Sequence, residues 1–190
     1  MPKNDSANGK RFPNGRRVKL NESFSQDCPG VYAFFLKKGS SVPGLNLPHE
    51  RPIYIGKCES NFDRRGHIIC RDSSGSTFRR TLGALLRDAK KLESRVFPRG
   101  FRKKPNAKSF QNFRFSPQAE GKLTAWIQKN LEITFEPIAY KIGSVEAGCI
   151  EEWNPPLNLV HSKNDLRDRL LELRKECRSE ARETGEGKWQ

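Results

Sequence analysis

The sequence predicts an α+β fold: a small three-stranded antiparallel sheet flanked by helices, in a single domain. Three observations point there. Gly30–Leu36 (GVYAFFL) and Ile53–Gly56 (IYIG) are short runs of aromatic and β-branched residues separated by a turn-rich stretch, as in a hairpin. Leu131, Ile133 and Phe135 alternate with polar residues, as in a half-buried strand. Between and after these runs, apolar residues recur at helical spacing. No internal repeat or composition shift marks a second domain.

Taken in order, residues 1–20 form a polar, basic stretch that reads as a flexible arm. The domain proper runs over 21–162, and 163–190 are a C-terminal amphipathic helix and tail. Gly30–Leu36 is the first strand. The stretch from Lys37 to Pro52 holds Gly39, Pro43, Gly44, Pro48 and Pro52, which predicts a long loop. After the second strand a short helix is expected over about 61–70. A stronger one starts at Ser76, a suitable N-cap, with Phe78, Leu82, Leu85, Leu86, Ala89 and Leu92 in helical phase. Val96 to Phe115 has no period and reads as an excursion loop. Ser116-Pro117 opens a helix to about Asn130, because proline in the first turn loses no hydrogen bond. The third strand follows. Ser144 is then expected to cap a helix that Pro155 and Pro156 must end. Asn164 to about Glu183 carries Leu166, Leu170, Leu173 and Cys177 on one face.

Charge narrows the function. Lys and Arg number 36 against 22 acidic residues, a formal net charge of +14, with a pI near 9.9. Residues 57–115 alone hold 16 basic and 5 acidic side chains, whereas 116–190 hold 11 and 13. A solubility device would be spread more evenly, so the concentrated excess predicts a polyanionic partner, nucleic acid first. An anionic membrane surface or an acidic protein is the rival partner. No apolar run approaches the length that crosses a bilayer and Met1–Leu20 has no hydrophobic signal region, so a cytoplasmic protein with no membrane partner is expected. The five cysteines never approach CxxC spacing and read as reduced thiols.

Glu146 stands out by helical phase. At about 100° per residue, Ile150 falls about 40° from it, Trp153 about −20° and Cys149 about −60°, while Glu151 and Glu152 point elsewhere. A carboxylate on an apolar face needs a cation or a metal ion; a first-turn Glu solvated at the core's rim, favouring the helix dipole, is the alternative. Tyr32 and Tyr54 read equally as half-buried sheet aromatics. Arg79 and Arg80 lie in the first turn of the Ser76 helix, where positive charge opposes the dipole, so phosphate contact there is expected. Arg99, Arg102, Lys103, Lys104 and Lys108, interleaved with Phe97, Phe101, Phe110 and Phe113, suit a loop that tracks a nucleic-acid backbone.

Gly30-Val31-Tyr32, Tyr54-Ile55-Gly56-Lys57, Asn61-Phe62 with Arg65, and Glu146 with Pro155 and Asn158 occur in an order that resembles the GIY-YIG nuclease superfamily. The resemblance covers about residues 28–160. Val31 replaces the central Ile, the segment from Ser40 to Arg51 resembles an insertion, and Arg64 competes with Arg65 for the family arginine. The resemblance implies a DNA endonuclease that uses one Mg²⁺ or Mn²⁺ ion per active site, held by Glu146. It assigns Arg65 to the phosphoryl oxygens and Tyr32 to the attacking water, with Tyr54 positioning. A free tyrosine has a pKa near 10, so about one in a thousand is phenolate at pH 7. Tyr32 therefore needs a cation, and Lys57 is the candidate. Asn158 is expected to orient the end of the Glu146 helix. The partner implied is duplex DNA, with a homodimer as the assembly a palindromic cut would call for. The rival readings are a catalytically silent nucleic-acid-binding protein on the same scaffold, and an RNA-directed nuclease.

Overall fold

The structure, a computed structural model, describes residues 12–13, 15–20, 27–59, 72–99 and 112–186. Its elements are β1 (Val18–Lys19), β2 (Gly30–Leu36), β3 (Pro52–Cys58), α1 (Thr77–Asp88), β4 (Val96–Pro98), β5 (Phe113–Phe115), α2 (Pro117–Asn130), β6 (Leu131–Pro137), α3 (Ile142–Trp153) and α4 (Arg167–Glu186). The main sheet is antiparallel, in the order β1-β6-β2-β3, and β4 pairs with β5 in a separate ribbon.

The α+β class and the three expected strands are present, β2 with the bounds read from the sequence. β2 lies between β6 and β3 and is buried along its whole length. Tyr32, Phe34 and Leu36 enter the main core with α1, α2 and α4. Val31, Ala33 and Phe35 enter a smaller core with Ile142, Val145, Cys149, Ile150 and Trp153 of α3. Two covered faces explain why GVYAFFL is apolar without alternation.

Several boundaries differ from expectation. The arm over 1–20 is structured in its second half: Phe12 is buried in the smaller core, and Val18–Lys19 adds a fourth strand beside β6. Arg17 lies 3.9 Å from the Phe35 ring centroid, which ties this segment down by a cation–π contact. The stretch 96–115 is not a loop at its ends, because Val96 to Pro98 pairs with Phe113 to Phe115. α3 starts two residues before Ser144, after Lys141 in a left-handed conformation, and Ser144 is no cap. The turn itself replaces the cap: the backbone C=O of Lys141 accepts the Ser144 and Val145 N–H groups. The helix expected over 61–70 lies outside the described residues.

The cap at Ser76 is as read, and Ser116 caps α2 in the same way. Their hydroxyls accept the Arg79 and Ala119 N–H groups at 3.2 and 3.3 Å. A buried ion pair then ties the two helices together. Arg79 is fully buried, and its Nη2 lies 2.6 Å from Glu120 Oε2, with Nε at 3.2 Å. Arg79 also donates to Thr124 Oγ1 and the Glu120 carbonyl, each at 3.0 Å. The other oxygen of Glu120 accepts Ser73 N–H, the Ser73 hydroxyl and Phe115 N–H. One carboxylate thus joins α1, α2, β5 and the turn before α1.

α4 closes the main core with Leu170, Leu173, Cys177 and Ala181. Its Glu180 accepts from Arg87 Nη2 at 2.7 Å and from Val96 N–H at 2.9 Å. Among the described residues, no helix is long and apolar enough to cross a membrane.

Removing one member of a buried, hydrogen-bonded ion pair strands the other charge. Glu120→Ala is therefore expected to destabilise the protein by about 3–5 kcal/mol. Urea unfolding followed by circular dichroism reads this as a lowered midpoint.

Candidate active site

Strand β3 is the outer strand of the sheet, paired only with β2 among the strands. Its free edge is closed by the chain after α3. Leu157 N–H donates to the Ile53 carbonyl at 3.0 Å. Asn158 then accepts the Ile55 N–H on Oδ1 at 2.9 Å and donates from Nδ2 to the Ile55 carbonyl at 2.8 Å. Asn158 is buried and satisfies both backbone groups of one residue. The expectation that it orients the end of the Glu146 helix is corrected: it holds β3. Asn154, left-handed with φ 46°, ends α3, and the prolines that follow carry the chain into this edge position.

The two tyrosines stand on the main-core face. Tyr32 pairs in register with Gly56 on β3, and its ring lies across that glycine. A Cβ at position 56 would sit 2.5 Å from Tyr32 Oη, so only glycine admits the phenol here. The hydroxyl of a 3% exposed side chain on the central strand thereby reaches the outer strand. Tyr54, half-buried, has its ring centroid 6.3 Å from that of Tyr32 and 5.0 Å from that of Phe78. These tilted rings fix Tyr54 by packing.

Lys57 and Glu146 come from the other face. Lys57 Nζ lies 2.9 Å from Glu59 Oε1 and 4.0 Å from Glu146 Oε2, against the first turn of α3 at Gly143. The Glu146 side chain is 22% exposed, so the carboxylate sits at the rim of the smaller core and not in the middle of a buried face. Glu151 and Glu152 are exposed, as helical phase requires. Two phenols, an ammonium and a carboxylate thus surround the segment Tyr54–Lys57, approaching from both sides of one edge strand.

Arg65, with Arg64, Asn61 and Phe62, lies outside the described residues, as do Arg102, Lys103, Lys104 and Lys108. Arg99 is exposed. Arg79 and Arg80 correct the expectation of a phosphate seat on the first turn of α1. Arg79 is wholly engaged by Glu120, and its N–H is taken by Ser76. Arg80 is 5% exposed, and its Nη1 donates to the carbonyls of Ser73 and Ser74 at 2.7 and 2.9 Å. The dipole argument identified an anomaly in the right place, but its resolution for Arg79 is a glutamate 41 residues away.

Arg174 was missed by the sequence reading. It is buried on α4 near Thr81, with Nη1 3.4 Å from Thr81 Oγ1. Helical phase would have found it: Arg174 lies about 40° from Leu170, inside the apolar stripe.

A cation could be held by Glu146. Among the described residues no group of three or more His, Cys, Asp or Glu side chains could share an ion. One rim carboxylate with access to water suits Mg²⁺ or Mn²⁺, which keep several waters and bind through one or two carboxylates. The donor chemistry therefore fits such an ion. A cavity of about 700 Å³ opens beyond the end of α3, lined by Glu151, Asn154, Val160 and His161 among others, and none of the site groups lines it. None of the described cavities is lined by Tyr32, Tyr54, Lys57 or Glu146.

The family profile described as the GIY-YIG catalytic domain matches residues 30–180, from β2 well into α4. No curated protein and no solved structure matches the chain.

Two glycines of the site separate by geometry. Gly56→Ala is expected to destabilise the fold by about 1–3 kcal/mol, because the Tyr32 ring must move. Gly148 on α3 faces open space, so Gly148→Ala is expected to stabilise by about 0.5–1 kcal/mol. Paired thermal melts check the opposite signs.

Proposed function

The chain belongs to the GIY-YIG catalytic-domain family, and from that premise we propose that it is a metal-dependent DNA endonuclease. The observation that carries the reading is the edge of β3, where the Tyr32 hydroxyl, laid over Gly56, shares a strand segment with Lys57 and its neighbour Glu146.

Phosphodiester hydrolysis needs a water held in line with the leaving oxygen, a place for its proton, and positive charge around the phosphoryl oxygens. Tyr32 is the proton acceptor in this reading. Its ring is locked by Gly56 and the main core, so its oxygen is positioned before substrate arrives. Tyr54, clamped by Phe34 and Phe78, orients the water or a phosphate oxygen. Lys57, which enters from the opposite face of β3 beside Glu146, is not placed to act on the Tyr32 phenol, and its role in this reading is to meet a non-bridging oxygen. Arg65 neutralises charge that develops on the phosphoryl group, a task suited to a side chain that stays cationic. Asn158 keeps the strand carrying Tyr54 and Lys57 in register. Glu146 would hold one Mg²⁺ or Mn²⁺ ion, whose contribution is Lewis-acid stabilisation of the phosphate and the departing oxygen.

Duplex DNA is the proposed substrate. The +11 balance of residues 57–115, 16 basic less 5 acidic, supports it. Arg64, Arg99, Arg102, Lys103, Lys104 and Lys108 are the proposed backbone contacts, and their like charges make affinity steeply dependent on salt. The thiols of Cys58, Cys149 and Cys177 fit a reducing compartment, and we propose that the protein is cytoplasmic.

Purified protein with Mg²⁺ is expected to nick or linearise plasmid DNA, and chelation by EDTA to stop it. Loss of a metal-ion contribution of several kcal/mol makes Glu146→Gln slower by about a thousandfold or more, with DNA binding retained. Undiminished cutting by Glu146→Gln overturns the mechanism; cutting of a matched RNA duplex in preference to DNA overturns the substrate.

A further inference from the structure

Two arginines are buried without an acidic partner among the described residues. Arg80 on α1 is 5% exposed and Arg174 on α4 is 9% exposed. Neither forms an ion pair with a carboxylate among the described residues. Arg80 directs its terminal nitrogens to Ser73 O, Ser74 O and Thr77 Oγ1, and Arg174 reaches only Thr81 Oγ1, at 3.4 Å. The Nε atom of each is buried with no acceptor among the described residues.

The surroundings add positive charge. Burial first, then the charges of Arg174 and Arg99, pulls the Arg80 guanidinium down to about 10, with Tyr54 and Asp72 acting the other way. Burial first, then the charge of Arg178, pulls Arg174 down to about 10, opposed by Tyr54 and Cys177. Because both values lie below the free one, the charged forms are disfavoured in the folded protein. That cost is present throughout the neutral range.

Arg174 reaches Thr81, the residue after Arg80 on α1, and Arg178 follows Arg174 by one turn of α4. Arg99 follows β4, which Glu180 of α4 holds at Val96 N–H. Folding gives no reason to gather these guanidiniums with two of them desolvated. The contrast with Arg79 is direct: one residue earlier on the same helix, a buried guanidinium receives a full set of partners from Glu120. Exposure is also graded, from buried Arg80 and Arg174 through half-buried Arg178 to exposed Arg99, so the cluster opens to solvent at one end. Tyr54 of the candidate active site packs on Phe78, two residues before Arg80 on α1, with ring centroids 5.0 Å apart.

The geometry points to a phosphate seat: Arg174, Arg178 and Arg99, backed by the charge of Arg80, hold a backbone phosphate of the substrate next to the one cut beside Tyr54. The ligand class is a phosphodiester, and the seat is sequence-independent, because guanidiniums matched to phosphate oxygens read no base. This inference rests on the nuclease reading and deepens it by adding α4 to the substrate path. An anion there offsets repulsion that the free protein must carry.

The test uses full-length Glu146→Gln protein, which leaves DNA intact, and fluorescence anisotropy with a labelled duplex across a salt series. Arg174→Gln and Arg178→Gln are each expected to weaken binding about tenfold at low salt and to flatten the log–log salt slope by about 0.9. Inorganic phosphate at constant ionic strength is expected to raise the Tm of the parent and not that of Arg174→Gln, which separates a true seat from a diffuse field along the DNA. If Arg174→Gln does not fold, Arg178→Gln and Arg99→Gln, on the open side, decide the matter. Unchanged affinity and slope overturn the seat, as does a lowered Tm in Arg174→Gln with its slope retained. Cleavage by the Glu146→Gln parent, beside a flattened slope in the arginine variants, would overturn the catalytic reading and leave the seat standing.

Discussion

The arrangement depends on how one edge strand is held. β3 has β2 on one side and, among the described residues, no strand on the other, so its outward N–H and C=O groups need partners. Leu157 and Asn158 supply them, closing the edge with backbone and amide groups instead of another strand. The strand so held is flanked by groups on both faces near its end: Tyr32 and Tyr54 on the main-core face, Lys57 and Glu146 on the α3 face.

Close packing makes the edge exact enough for chemistry. Tyr32 belongs to the central strand, and its hydroxyl arrives at β3 only because residue 56 has no side chain. The phenol is thus held by sheet register, with no dependence on a loop. Glu146 is placed differently, by a helix that begins at a left-handed Lys141 and ends at a left-handed Asn154, followed at once by the segment that locks β3. Strand and helix are joined through the same few residues, so the tyrosine and carboxylate positions are mechanically linked. The arginines divide along a related line: Arg79 serves the fold through Glu120, whereas Arg80 and Arg174 pair with no carboxylate among the described residues.

The sequence was legible wherever the signal was local. Strand β2, the Ser76 cap, the Ser116-Pro117 helix start and the α4 stripe follow from spacing and side-chain chemistry over a few residues. Helical phase separated Glu146 from Glu151 and Glu152, although it overstated the depth of Glu146. What escaped depends on distant partners. Nothing near Arg79 announces Glu120, and nothing near Asn158 announces Ile55, 103 residues away. The β4–β5 ribbon escaped because three-residue strands are too short to show a period. Ser144 misled because the Lys141 turn already supplies the first helical hydrogen bonds.

The central claim is that one rim carboxylate and one glycine-cradled phenol bracket a single phosphate. A crystal of the protein with Mn²⁺ and a duplex bearing a non-hydrolysable phosphate analogue tests it most directly, because anomalous scattering locates the ion without assumption. The account predicts one manganese peak about 2.1 Å from a Glu146 oxygen, with Tyr32 Oη facing the same phosphate. A manganese ion bound elsewhere on the DNA, with Glu146 turned to Lys57 and Tyr32 remote from any phosphate, would contradict it.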